Sequence, residues 1–179
     1  MSGHNKWSKI KHKKAASDAK KSKVFGMLAR QIAITVKEAG GDPNHSTVRA
    51  IIEKARKENM PKENIDRAVA KGSGAGESYE AVQFEGFGPG GVAMIIEGIT
   101  DNNNRTASEI KHIFSKLGCT LGAPGTAVWA FERIEENGER VWKAKQSMDP
   151  SDEDGEKLSV LVEELEDHDD VKSVVTNAD

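Results

Sequence analysis

The chain has 179 residues, 36% hydrophobic and 31% charged, with a formal net charge of −3. No apolar run approaches the roughly 20 residues that a membrane-spanning helix needs, and no apolar core followed by a small-residue cleavage site marks the N-terminus for export, so a soluble cytoplasmic protein is predicted. The small net charge conceals a division: residues 1–76 hold 17 Lys and Arg against 7 Asp and Glu, a balance of +10, whereas residues 77–179 hold 9 against 22, a balance of −13.

In chain order, the first segment is an arm over residues 1–16, too polar to fold alone. There Lys6, Lys9, Lys11, Lys13 and Lys14 surround Trp7 and His12. Lysines neutralise phosphates and release counterions, and an indole can stack on an unpaired base. The plainer alternative is that Trp7 pins the arm to its own domain while the lysines are solvated. A helix is predicted over residues 17–39, with Val24, Phe25, Leu28, Ile32, Val36 and Ala39 on one face. Lys23, Arg30 and Lys37 recur every seven residues on the side away from that face, which makes a basic ridge, and Lys20 is a further candidate phosphate contact. Gly40-Gly41-Asp42-Pro43 ends the helix. Val48, Ile51, Ile52 and Ala55 give a second amphipathic helix, and Ile65, Ala68 and Val69 a third, which opens at Pro61 and stops before Gly72. The run Gly72-Ser73-Gly74-Ala75-Gly76, where the charge changes sign, marks a domain boundary, giving domains 1–76 and 77–179.

Beyond the boundary the periodicity becomes strand-like. Residues 79–86 and 91–99 read as a hairpin joined through Gly86-Phe87-Gly88-Pro89-Gly90-Gly91. Thr106-Ala107-Ser108-Glu109 has the spacing of a capping box, followed by a helix with Ile110, Ile113, Phe114 and Leu117 buried and Gly118 as its stop. Residues 126–134 and 139–145 flank Asn137-Gly138, a strong hairpin signal. A helix from Ser151 and a strand over residues 171–176 complete the order β-β-α-β-β-α-β. The fold class predicted is α+β: a three-helix basic domain, then a ferredoxin-like antiparallel sheet with two helices on one face.

Several patterns bear on chemistry. Gly86, Gly88 and Gly91 match G-x-G-x-x-G, but a dinucleotide site needs those glycines between a strand and a helix, and here a second strand follows. A tight turn exposing Phe87 is the better reading, with Phe87, Gly88, Pro89 and Gly90 as a contact tip or as plain architecture. Asp101-Asn102-Asn103-Asn104-Arg105-Thr106 gathers polar groups before a helix N-terminus, where backbone N–H groups can hold an anion. Asn102, Asn104, Arg105 and Thr106 are its candidate contacts, set against the alternative that Asp and Asn simply form turns. The five histidines show no metal-ligand spacing, Cys119 is the sole cysteine, and no catalytic constellation is evident. The prediction is a non-enzymatic protein with no cofactor, no metal and no small-molecule substrate.

Gly3-His4-Asn5-Lys6-Trp7 through Lys13-Lys14-Ala15, Gly40-Gly41-Asp42-Pro43, Asn59-Met60-Pro61-Lys62-Glu63-Asn64-Ile65, the 86–91 glycine run, residues 101–106 and the tail Asn177-Ala178-Asp179 together resemble the YebC family. The resemblance covers residues 3–132 and 151–179. It implies a helical N-terminal domain and α/β domains, with some members named probable transcriptional regulators that bind DNA. Others act on the ribosome, among them a mitochondrial translational activator of cytochrome c oxidase, and bacterial relatives relieve stalls at proline-rich stretches. Typical members insert a third α/β domain after the position of Phe131-Glu132, where this chain has only the Asn137-Gly138 hairpin. The expected partner is nucleic acid, with the ribosome and its RNA first. Duplex DNA in transcriptional regulation is the alternative, and a nucleotide-binding enzyme a distant third. No base-reading helix pair is recognisable, and a lysine-rich arm with one aromatic suits irregular RNA.

Overall fold

The computed structural model describes residues 18–74 and 78–179, with side chains from residue 21 onward. Two compact units result: one holds the helices up to Val82 together with Ile99–Asn103, the other Gln83–Gly98 and Asn104–Asp179.

The helical unit contains α1 (Asp18–Glu38), α2 (Ser46–Lys57) and α3 (Lys62–Ser73). Leu28, Ile32 and Val36 of α1 are buried, as their spacing predicts, and pack with Val48 and Ala55 of α2 and Ile65 and Ala68 of α3. Val24, placed on the same face by periodicity, is 41% exposed. It lies near the start of α1, and the buried part of that face begins at Leu28. The turns are set by local chemistry. Gly40 and Gly41 take positive φ after α1, and the Gly41 N–H donates to Val36 O at 2.8 Å. Asn59 (φ 62) plays the same part after α2, with the Met60 N–H donating to Ala55 O, and Pro61 caps α3.

Gly72 does not stop α3. It lies inside the helix, where a Cβ would stand 2.5 Å from Ala33 O and 2.7 Å from Val36 Cβ, so the glycine permits the close crossing of α1 and α3. Locally, a glycine that ends a helix and one that lets another helix approach look alike.

The second unit has a four-stranded sheet ordered β3-β1-β2-β6, from β1 (Glu80–Phe87), β2 (Ala93–Thr100), β3 (Thr120–Gly122) and β6 (Val171–Thr176). β3 and β6 are antiparallel to β1 and β2, and the short 3-10 turn Pro89–Gly91 joins the central pair as a hairpin. Helices α4 (Asn103–Lys116) and α5 (Asp152–Asp167) cover one face, where Met94, Ile96, Ile110, Phe114, Leu158 and Leu161 are buried. The fold is α+β with an antiparallel sheet, as expected. The strands β4 (Phe131–Glu136) and β5 (Glu139–Ala144) form a separate two-stranded sheet closed by Asn137 and Gly138, both at positive φ. This hairpin covers the other face of the main sheet: Ala93 and Ile95 of β2 bury against Ala127, Ala130 and Phe131, with Trp142 packed alongside. β2 is thus buried on both faces, which explains its unbroken apolar run.

Two strands differ from expectation. β3 was not foreseen, because three residues carry no readable alternation. The strand expected from residue 126 begins at Phe131, after a 3-10 turn over Val128–Ala130. α5 is capped by Ser151, whose hydroxyl accepts the Asp154 N–H, and Asp152, Glu153 and Asp154 in its first turn complement the helix dipole.

Candidate nucleic-acid interface

The ridge predicted on α1 lies only partly in solvent. Lys37, in the last turn, is exposed; Lys23 and Arg30 are half-buried, and the Arg30 guanidinium stands 5.9 Å from the Tyr79 ring centre. Lys6, Trp7, Lys9, Lys11, His12, Lys13 and Lys14 fall outside the described residues, as does the Lys20 side chain. The structure adds Arg49, Arg56, Lys62, Arg67 and Lys71, all exposed on α2 and α3. Lys71 Nζ donates to the Tyr79 hydroxyl at 3.0 Å and lies 4.5 Å from the ring centre, an arrangement that combines a hydrogen bond with a cation–π contact. Tyr79 was absent from the sequence-derived candidates. Its signal was slight: the lone tyrosine of the chain, just past the glycine linker.

The loops of the second unit are held more tightly than their composition suggests. Gly88 and Pro89 are buried, Gly90 is exposed at φ 71 beside Asp154, and Phe87 is half-buried against the Phe131 cluster. The glycine turn therefore does not present Phe87 as an exposed tip. Its side chain alternates to the hairpin face of β1 and fills space there.

The helix expected to start at Thr106 begins one turn earlier, at Asn103. Thr106 is buried within α4 and its hydroxyl donates to Asp170 Oδ2 at 2.7 Å, so the capping-box reading fails. Arg105 Nη2 donates to the same oxygen at 2.6 Å and its Nε lies 3.8 Å from Glu109, so the guanidinium is committed to carboxylates. Asn102 and Asn104 remain at the surface.

Glu109, His168 and Asp170 bring three ligand-type atoms within 4.8 Å of one another, the arrangement among the described residues best able to receive a cation. Its hydrogen bonds are already satisfied internally. His168 Nδ1 accepts the Asp170 N–H at 3.1 Å, which leaves the proton on Nε2 to donate to Glu109 at 2.9 Å. A metal would have to displace a guanidinium and reverse that tautomer.

Glu85, also unforeseen, organises a surface loop. It is 4% exposed, and its carboxylate accepts the N–H groups of Gly125 (3.0 Å), Ala127 (2.8 Å) and Val128 (2.8 Å). Burial alone would raise its pKa; the three backbone donors, helped by Gln83, outweigh that and hold it below the ordinary carboxylate value. The loop carries Trp129, 64% exposed, its indole N–H tied to Thr126 O at 2.7 Å. Cys119, half-buried against the main core, has its thiol pKa raised by burial and by Asp154, so it is little ionised.

Among the described residues no helix is long and apolar enough to cross a membrane. Residues 5–75 match the family model described as the TACO1/YebC protein N-terminal domain, and residues 79–136 that of the TACO1/YebC second and third domain. A protein of Dictyoglomus thermophilum named "Probable transcriptional regulatory protein" is 39% identical, with 100% of this chain and 96% of that protein aligned. One of the same name from Dictyoglomus turgidum is 46% identical over 99% of this chain and 71% of its own length. Another, from Finegoldia magna, is 53% identical over 74% of this chain but only 56% of its own length. The Dictyoglomus thermophilum alignment runs over 239 residues against the 179 here, so that relative carries stretches this chain lacks. The crystal structure of a conserved hypothetical protein of Aquifex aeolicus superposes with a TM-score of 0.86 at 32% identity, covering 97% of this chain and 96% of that one.

Proposed function

Because this chain belongs to the TACO1/YebC family, we propose that it is a non-enzymatic, nucleic-acid-binding regulator of gene expression acting in the cytoplasm, with residues 1–76 as the binding domain. The observation that carries this reading is a surplus of cations on the helical unit. Residues 18–74 hold 12 Lys and Arg against 7 Asp and Glu, a net charge of +5. Exposed positions on all three helices share the surplus, and residues 1–17 add five lysines. Such a surface attracts phosphate by counterion release whatever the sequence of the polymer.

The finer reading is a ribosome-associated factor that meets ribosomal RNA through this unit and eases slow synthesis, including at proline-rich stretches. The acidic unit, at −13 over residues 77–179, can approach RNA only locally, and Asn102 and Asn104 are uncharged surface groups suited to that. A second reading, a duplex-DNA-binding transcriptional regulator, is favoured by the names of the curated relatives.

Co-sedimentation with ribosomes at physiological salt, run beside a duplex-DNA binding assay, separates the two. The first reading expects the protein in the ribosome pellet and only weak, sequence-indifferent DNA binding. Sequence-selective duplex binding without ribosome association would replace it with the second.

A further inference from the structure

A groove of about 380 Å³ opens on the helical unit between α1 and α3, with Phe25, Ala29 and Met60 among its apolar walls and Arg67, Lys71 and Tyr79 on its rim. Its volume lies within the roughly 300–1,000 Å³ of sites that hold small organic groups. The charged side chains that line it, Arg67 and Lys71, are both cationic. Gly26 also lines it, in the body of α1. A glycine there costs about 1 kcal/mol of helix stability relative to alanine. A Cβ at that position would meet nothing within 4 Å, so packing among the described residues does not call for the glycine. Gly72, on α3, is the contrast, being required by contact with α1. Gly26 leaves the groove wall at that point without a side chain.

We propose that this groove receives one unpaired nucleotide of a single-stranded RNA, the base entering the apolar slot beside Tyr79 and Phe25 and its phosphate meeting Arg67 and Lys71. The proposal rests on the nucleic-acid reading above and adds a place and a selectivity to it. An electron-rich tyrosine ring with cations nearby and an apolar floor suits the flat face of a base, and only an unstacked base can enter a slot of this kind. A duplex would meet the rim cations alone.

The test uses the full chain and a fluorescein-labelled single-stranded RNA ten-mer of mixed sequence, with an RNA duplex of the same sequence as comparison. Tyr79→Ala should weaken single-strand binding by roughly tenfold and leave duplex binding within about twofold, whereas Tyr79→Phe, which keeps the ring, should bind nearly as the parent does. Gly26→Leu fills the groove while improving helix propensity. It should leave the melting temperature unchanged or raised and reduce single-strand affinity by a similar factor. If Gly26→Leu and Tyr79→Ala both bind the single strand as the parent does, the groove is not the nucleotide site, although the nucleic-acid reading survives. Equal weakening of single strand and duplex would also overturn it, since the effect would then be electrostatic. A gain in affinity on filling the groove would mean that the chain's own N-terminal arm, and not RNA, occupies it. A parent protein that binds neither polymer at physiological salt would overturn the proposal and the reading beneath it together.

Discussion

The two units of this molecule treat their cationic side chains in opposite ways. In the α+β unit the acids outnumber the bases, and four of the bases are paired with carboxylates: Arg105 with Asp170 at 2.6 Å, Arg133 with Glu97 at 2.7 Å, Lys116 with Glu164 at 3.0 Å and Lys157 with Glu153 at 2.7 Å. Arg133 also stacks over Trp142, its guanidinium 4.0 Å from the ring centre. In the helical unit the bases outnumber the acids, and exposed cations recur along helices whose apolar faces build the core. The difference teaches that net charge is a poor guide in this chain: a value of −3 is the sum of +10 over residues 1–76 and −13 over residues 77–179.

The sharpest way to break this comparison is to reverse charge on each side in the full chain. Replacing Lys37, Arg49, Arg56 and Lys62 by glutamate should lower affinity for RNA by roughly a thousandfold at moderate salt and flatten its salt dependence. Replacing the equally exposed Lys111, Lys143, Lys145 and Lys172 should change it by less than about threefold. Comparable losses from both sets, read by fluorescence anisotropy, would mean that the division of charge does not organise binding.

The next effect belongs to the α+β unit and should touch stability rather than binding. Glu85→Ala leaves three backbone N–H groups without their carboxylate, a loss of about 3 kcal/mol. In a unit of this size that lowers the melting temperature by about 12–24 °C. The pH dependence follows from the depressed pKa: Glu85 stabilises the fold fully above the ordinary value of 4.5, and that contribution is lost as pH falls through the lower folded value. The variant should therefore lose less stability than the parent on acidification, as denaturant titration at two pH values would show. Unchanged stability would mean that the Trp129 loop holds its shape without the buried carboxylate.

Smaller still is the effect of Asp170→Ala, about 2 kcal/mol, because Thr106 loses a buried partner while the half-exposed Arg105 can turn to water. RNA affinity should stay within a factor of about two; a marked change would assign Arg105 a contact role that its ion pair does not suggest. Gly72→Ala should cost a similar amount, about 2 kcal/mol, because a Cβ 2.5 Å from Ala33 O must push the backbones of α1 and α3 apart, a strain that better helix propensity only partly offsets. A variant more stable than the parent would show that α1 and α3 shift apart without penalty.

What the sequence disclosed tracks how local the cause was. Leu28, Ile32 and Val36 announce a buried helix face because their spacing is the cause of their burial, and Asn137-Gly138 announces a turn because the backbone there needs positive φ. Glu85 gave no such sign: its partners lie about forty residues on, in a loop whose composition is that of any turn. Thr106 resembled a cap because Glu109 follows three residues later, yet its hydroxyl is taken by a carboxylate 64 residues away. The hairpin of β4 and β5 was foreseen, but its place over Ala93 and Ile95 was not, since pairing two strands does not say which sheet face they cover. For the candidate site, the basic character of the first 76 residues was plain from counting, whereas Tyr79 and Gly26 acquire meaning only once α1 and α3 stand side by side.

The most direct test of where nucleic acid is held is ultraviolet cross-linking of the full chain to ribosomal RNA, followed by identification of the cross-linked peptides. The account predicts cross-links within residues 1–82. Cross-links confined to residues 83–179, above all around the exposed Trp129, would contradict it and move the interface to the acidic unit.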